Sequence, residues 1–254
     1  MKILLISGHG AGDSGACGNG LKEANLTVEM VKGIKPLLDP YASVDLYPTE
    51  RNAFKDIQNG NLKVNFANYD YVLEVHFNAG GGTGTKIYIT SKEKGHSVED
   101  KIVANLAKLG LRNRGVKVKD FLVIKTAKNK GVSSALLETC FIDSKADTNM
   151  YKNNKSKFFT AVVNGIIDGF GLKKTSNKPK PTPAPTANYY KKYTGKSGRI
   201  DVVLEAIGVP SMYRGSWKKR KAVANANGIS GYEGTGSQNN KIISLARQGK
   251  LKKV

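Results

Sequence analysis

The chain reads as an α/β protein. The expected architecture is a three-layer sandwich with a central twisted, mostly parallel sheet and helices on both faces, followed by a small helical C-terminal module. Three observations predict this. Apolar runs of strand length alternate with stretches whose apolar residues recur at helical spacing. Several of those runs end on glycine or polar residues, as buried strands feeding loops do. After residue 172 a proline-rich segment breaks the pattern, and a new helical pattern begins beyond it.

The elements follow in order. Residues 2–7 form a short buried strand, and the glycine-rich stretch 8–20 a loop. From Leu21 to Leu38, the apolar residues Leu21, Ala24, Val28, Val31, Ile34, Leu37 and Leu38 fit a helix stripe, with Pro36 helping to stop it. Residues 43–47 are a strand candidate, and 50–66 a weaker helix interrupted by Asn59-Gly60. Residues 71–76 are the second buried strand and 86–90 a shorter third. An amphipathic helix covers 98–109, strands cover 121–124 and 135–139, and a helix over 147–170 closes the domain.

Composition narrows the partners. The 254 residues suffice for one full domain and one small one, and the net charge is +21. Residues 1–172 carry 23 Lys+Arg against 17 Asp+Glu, a net +6, whereas residues 173–254 carry 18 against 3, a net +15. An excess so placed points to an acidic polymer, and nucleic acid, teichoic acid and anionic lipid all fit on charge alone. Two cysteines, Cys17 and Cys140, make no disulfide framework and read as reduced, semi-buried thiols. No apolar run approaches the roughly 18 residues of a membrane span, so no membrane insertion is expected. Lys2 and four apolar residues before Ser7-Gly8-His9-Gly10 fall short of a signal peptide. The chain is therefore expected to be made in the cytoplasm without an ordinary secretion route, and to act on the cell wall only after release.

Four residues carry the chemistry. His9 ends the run Ile3-Leu4-Leu5-Ile6-Ser7-Gly8, and Glu23 follows the glycine-rich loop. His76 ends Tyr71-Val72-Leu73-Glu74-Val75, and Glu138 ends Ser134-Ala135-Leu136-Leu137. Ligands of such sheets gather at the carboxyl ends of strands, which is where His9, His76 and Glu138 fall. Two imidazoles and a carboxylate suit zinc, with a fourth place for water. A further carboxylate beside that water makes a hydrolase. The glycine-rich stretch has no phosphate-loop spacing and reads as a flexible loop lying against metal and substrate. His96 reads as a solvated helix start.

The motifs around these residues resemble a family. Gly8-His9-Gly10, then Asp13, Gly15-Ala16, Gly18 and Glu23, are similar to the zinc-dependent N-acetylmuramoyl-L-alanine amidases of the amidase-3 type. So are Ala67-Asn68-Tyr69-Asp70 leading to Val75-His76-Phe77-Asn78-Ala79, Asn113-Arg114-Gly115-Val116-Lys117 before a strand, and Leu136-Leu137-Glu138-Thr139-Cys140-Phe141-Ile142-Asp143. The resemblance spans residues 2–170 in order. It implies that His9, Glu23 and His76 bind one zinc ion and that Glu138 is the catalytic acid/base. The family usually has Asp at the place of Ser7, Ser at that of Glu74, and an Arg near Lys63; these departures touch substrate contacts and the groups behind the ligands, not the metal. Glu74 alternates with His76 along its strand, and either orients a ligand or faces solvent at the sheet's end. Asn78 is a second candidate for a place behind the ligands.

Residues 173–192, with four alternating prolines, read as an extended Pro/Lys-rich linker. Residues 193–254 read as a basic module with helices over 198–207, 216–227 and 237–248 and a small core that includes Trp217, Tyr232, Val223 and Ile242. Trp217 with Lys218, Lys219, Arg220 and Lys221 is the candidate grip on an anionic wall polymer, against the plainer reading of a basic helix that only keeps the chain dispersed. Its place after a wall-cutting domain looks like that of the wall-binding modules of phage endolysins.

The function expected from the resemblance is cleavage of peptidoglycan between N-acetylmuramic acid and the L-alanine of the stem peptide, in a phage endolysin that waits for a holin. The alternatives are a host amidase of sporulation or autolysis, and a zinc peptidase acting on the stem. A nucleic-acid partner is not expected, because no RNP sequence or zinc finger is present.

Overall fold

The structure, a computed structural model, describes residues 1–174 and 189–254. These form two compact units, each with its own core. Most of the segment read as a linker lies outside the described residues, but its last part does not. Tyr190 is buried in the core of the second unit and bonds through its amide to the Leu251 carbonyl.

The N-terminal unit contains β1 (Lys2–Ser7), β2 (Cys17–Gly18), β3 (Leu21–Lys22), α1 (Glu23–Leu38), β4 (Ser43–Leu46), α2 (Ala53–Gln58), β5 (Tyr71–Asn78), β6 (Thr85–Ile89), α3 (Ser97–Ala107), β7 (Asn113–Val118), α4 (Leu122–Asn129), β8 (Ser133–Phe141) and α5 (Lys145–Phe170). Six strands form one sheet in the order β4-β1-β5-β8-β6-β7. β4, β1, β5 and β8 run parallel, β6 is antiparallel to β8, and β7 is parallel to β6. Alternation along the strands gives the sheet two apolar faces. Ile3, Leu5, Tyr71, Leu73 and Val75 face α1, α3 and α5, while Leu4, Ile6 and Val72 face α2 and α4. Each such side chain contributes roughly 1.5–3 kcal/mol when fully buried, so the strand core holds the site as a rigid frame.

Several expectations change. Residues 121–124 are not a strand: Phe121 precedes α4, and Val123, Ile124 and Ala127 are buried on one helical face. The motif at 113–117 does not precede a strand but forms β7 itself. It lies at the sheet edge and pairs only with β6, which explains its charged, weakly apolar sequence. The weak helix over 50–66 shrinks to α2, whose N-cap Asn52 accepts from the Lys55 amide and which ends before Asn59-Gly60. The two thiols also differ from the expectation, since Cys17 is exposed and Cys140 buried.

The C-terminal unit contains α6 (Ile200–Ala206), α7 (Trp217–Ala226) and α8 (Gly236–Gln248), the last opened by a Thr235–Gln238 capping box. Its core gathers Tyr190, Tyr193, Val203, Leu204, Val223, Tyr232, Ile242 and Leu251. Trp217 is not part of it, being 40% exposed. Arg220 is turned inward, because it shares a helical face with Val223 and Ala224; its Nε donates to the Tyr232 hydroxyl at 2.9 Å. Lys218, Lys219 and Lys221 stay exposed. Among the described residues, no helix is long and apolar enough to cross a membrane.

Candidate active site

The sheet order reverses at β1. The chain leaves β1 through α1 to β4 on one side, then returns through α2 to β5 on the other. A crevice opens at the carboxyl ends of strands that diverge in this way. His9 follows β1 by two residues, and His76 lies near the end of β5. Glu138 on β8 is the direct cross-strand partner of His76, so the two side chains stand on the same face.

Glu23, the first residue of α1, joins the two histidines. Its Oε2 lies 3.1 Å from His9 Nε2, and its Oε1 lies 2.9 Å from His76 Nδ1. The Ala16 amide donates to Oε2 and the Phe77 amide to Oε1, each at 2.9 Å. The imidazoles meet edge to face with centroids 4.8 Å apart. One ligand atom from each of His9, Glu23 and His76 lies within 4.8 Å of the others.

The loop that carries His9 is held rather than loose. His9 has a left-handed backbone with φ of 66°, a conformation that persists only where its surroundings enforce it. Gly10 and Asp13 exchange two backbone hydrogen bonds, and Asp13 Oδ2 lies 2.9 Å from His9 Nδ1. Asp13 is itself fixed by the Gly15 amide and by Asn52 Nδ2 from the head of α2. Glycine serves close approach here instead of flexibility. A Cβ at Gly8 would lie 2.3 Å from the His76 ring, and one at Gly15, where φ is +62°, would lie 2.6 Å from His9.

The second nitrogen of His76, Nε2, lies 3.3 Å from Glu74 Oε1. Of the two readings of Glu74, contact with a ligand is thus the one its geometry fits. Asn78 does not contact the histidines. Its Oδ1 accepts from the Ala79 amide, and its Nδ2 is buried without a partner. His96 bonds Asp100 at the exposed start of α3, away from this group. Asp13 belonged to a recognisable motif but carried no role in the sequence, and Asn52 gave no signal at all. An Asp four residues after a histidine in a glycine loop has no periodicity to betray which way it points.

Charge is tightly coupled in the site. Burial disfavours the His76 imidazolium, yet Glu23 and Glu74 more than reverse this and push its pKa up to about 10. For His9, burial again opposes the charge, and Glu23 and Asp13 raise the pKa overall. Burial would lift the Glu23 carboxyl, but His76, His9 and the Phe77 amide hold it well below the usual carboxylate range. The Glu138 carboxyl is raised, chiefly by burial. Its Oε2 is buried and, among the described residues, has no hydrogen-bond partner. All five side chains, with Asp13 and Asn52, line one cavity of about 500 Å³, walled on its apolar side by Phe54, Phe121 and Leu136.

The donor set fits a zinc ion. Two imidazole nitrogens and a carboxylate are the ligand types of catalytic zinc sites, and the far nitrogens already rest on Asp13 and Glu74, as metal-bound histidines require.

Comparison with known proteins agrees. The N-acetylmuramoyl-L-alanine amidase family Amidase_3 matches residues 3–168. The endolysin of Bacillus phage SPP1 is 31% identical over 201 residues, covering 73% of this chain and 72% of that protein. The sporulation-specific N-acetylmuramoyl-L-alanine amidase of Bacillus subtilis is 29% identical over 186 residues, covering 70% and 71%. Among solved structures, the catalytic domain of CD27L, an endolysin targeting Clostridia Difficile, superposes with a TM-score of 0.57 at 23% identity, over 66% of this chain and 97% of that one; it shares the fold. Both the matched span and the His9–Glu23–His76 group lead to one assignment: the chain belongs to the Amidase_3 family of N-acetylmuramoyl-L-alanine amidases and is a zinc amidase.

Proposed function

We propose that this amidase cuts the bond between the lactyl group of N-acetylmuramic acid and L-alanine with Glu138 as acid/base and His9, Glu23 and His76 as the zinc ligands. The observation that carries the assignment is the buried, unpartnered Oε2 of Glu138, which lines the same cavity as the three ligands. When bound there, zinc supplies Lewis acidity to polarise the amide carbonyl and acidify water. Glu138 takes a proton from the attacking water as the new C–O bond forms. It returns that proton to the L-alanine nitrogen as the C–N bond breaks. Burial of its carboxyl brings its pKa nearer to neutrality, which suits a group that must both accept and donate. Asp13 holds His9 through Nδ1, and Glu74 holds His76 through Nε2, so that the other nitrogen of each faces Glu23.

We further propose that the protein serves as a phage endolysin, made in the host cytoplasm and acting on the wall after release. The likeness to the SPP1 endolysin along most of both chains supports this. The similar score of a sporulation amidase supports a host role as the second reading. The C-terminal unit, with its strong excess of lysine and arginine, is assigned to holding the enzyme on an anionic wall polymer through Trp217, Lys218, Lys219 and Lys221.

Five outcomes are expected. Glu138→Gln keeps zinc, measured by metal analysis, and loses about 10²–10⁴-fold in wall hydrolysis, whereas His76→Ala loses both. Wild-type digestion releases intact stem peptides with a free L-alanine amine, by mass spectrometry; a shortened stem would point to a peptidase. Zinc uptake is pH-linked. His76 in the metal-free chain carries its proton below a pKa of about 10, so zinc must displace it, and apparent affinity rises with pH by up to about tenfold per unit for each proton released. Calorimetry at pH 7 in buffers of different ionisation enthalpy measures that release. Replacing Lys218, Lys219 and Lys221 together by Gln weakens retention on purified walls and flattens its salt dependence; unchanged retention would leave the basic helix as a solubility device. Expressed inside a sensitive cell, the chain leaves the culture intact until a pore-former opens the membrane, and lysis without one would favour an exported host amidase.

A further inference from the structure

We propose that Lys86 of β6 and Arg114 of β7, both held over the ring of Phe141 three residues after Glu138 on β8, form a carboxylate-binding subsite that reads an acidic group of the peptide stem. The inference rests on the amidase reading and deepens it.

The sheet register sets the arrangement. Glu138 on β8 has His76 of β5 as its neighbour on one side and Lys86 of β6 on the other. Cross-strand partners share a face, and adjacent strands lie about 4.8 Å apart. The row therefore runs from His76 to Glu138 to Lys86 along one face of the sheet, with Lys86 just beyond the residues that line the cavity. Lys86 Nζ is 5.1 Å from the centroid of Tyr88 and 5.9 Å from that of Phe141. Arg114 Cζ, from the edge strand β7, is 5.2 Å from the same Phe141 centroid. Tyr88 meets Phe121 edge to face at 5.0 Å, and Phe121 lines the active-site cavity. The two cations are thus joined to the cleft through a short aromatic row.

Their donors are uncommitted. Among the described residues, no carboxylate lies within 4.0 Å of either cation, although Arg51 and Lys128 in the same unit pair with Asp56 and Glu93. Among the described residues, the hydrogen bond of Arg114 is a long contact of 3.5 Å to the Thr83 carbonyl. An aromatic face steadies a cation without using its N–H groups, which leaves the lysine ammonium and the guanidinium fork free for an oxyanion. Two like charges brought to one ring are also mutually repulsive until an anion joins them.

Substrate chemistry supplies that anion. Attack at the lactyl carbonyl takes place beside the His9–Glu23–His76 group, and Glu138 must reach the leaving nitrogen. The leaving peptide then extends past Glu138, toward β6 and β7. Carboxylates are the anionic groups of a peptide. The cleft already presents Asp13, Glu23, Glu74 and Glu138, a set that repels an acidic stem unless cations receive it.

The test uses the full-length zinc enzyme and two sets of muropeptides, identical except that the residue after L-alanine carries either a free carboxylate or a carboxamide. Wild type is expected to favour the carboxylate set in kcat/KM. Lys86→Gln and Arg114→Gln each raise KM for that set by about tenfold or more, the scale of one charge-assisted hydrogen bond, with kcat little changed and carboxamide kinetics unaltered. Lys86→Arg retains the preference. Equal losses on both sets, a change confined to kcat, or no change at all overturns the subsite while leaving the amidase reading intact. Failure of the wild type to free the L-alanine amine from either set overturns the reading on which the subsite rests. Circular dichroism of each variant shows whether a loss reflects unfolding; if the Gln variants unfold, Lys86→Met and Arg114→Lys on the same two substrate sets decide by the same criterion.

Discussion

The site hangs on one buried carboxylate. Glu23 is only 3% exposed, and burying a charge without partners would cost several kcal/mol. It is tolerated because each oxygen has both an amide and an imidazole: Ala16 and His9 on one, Phe77 and His76 on the other. These partners come from two stretches of chain, the loop after β1 and the end of β5, which meet at the head of α1 that carries Glu23. The position also suits the charge, since the first turn of a helix favours an anion. The contact that shapes the site is therefore the same contact that closes the loop onto the sheet.

The rest of the chemistry is laid out by strand register. Four parallel strands put the ends of β1, β5 and β8 at one edge, and the change of direction at β6 brings Lys86 beside Glu138. An antiparallel neighbour can offer a side chain level with the Glu138 carboxyl without a crossover helix in between. Roles then separate by strand. β5 gives His76 and the Glu74 carboxylate behind it, β8 gives the buried Glu138 carboxyl, the proposed proton carrier, and β6 and β7 give positive charge. Imidazoles flanked by carboxylates on both nitrogens have raised pKa values before metal arrives, His76 most of all. The same carboxylates make those rings better ligands once the proton has gone.

What the sequence disclosed and what it hid follow from this layout. His9, His76 and Glu138 were legible because each terminates a buried run, where a polar residue breaks the apolar pattern. Glu23 was legible through its spacing within the family motif. The face of Glu74 followed from parity along the strand. By contrast, Leu122-Val123-Ile124 is a contiguous apolar triplet, and three residues cannot tell a strand from one turn of helix; only Ala127, buried one turn on, declares α4. β7 stayed hidden because an edge strand half in solvent needs little apolar sequence. Arg220 was misread for a related reason. A run of basic residues conceals its helical period, and one member of the run points into the core.

Range separates the tasks of the two units. Attraction between exposed charges fades over roughly 8 Å at physiological salt, so a lysine-rich unit can concentrate the enzyme on a polyanionic wall without choosing a bond. Choice demands donors placed within hydrogen-bond reach of the reacting groups, in a cavity where water screens little. Such cationic donors stand beyond Glu138, at Lys86 and Arg114 over the Phe141 ring, whereas the cavity itself is lined by carboxylates, imidazoles, amides and apolar side chains. An acidic peptide can then enter with its charge directed to β6 and β7 and its scissile carbonyl toward His9 and His76. The opposite orientation would bring that charge against Asp13, Glu23 and Glu74. On the proposed subsite, that asymmetry would set the direction of the substrate before any single contact sets its identity.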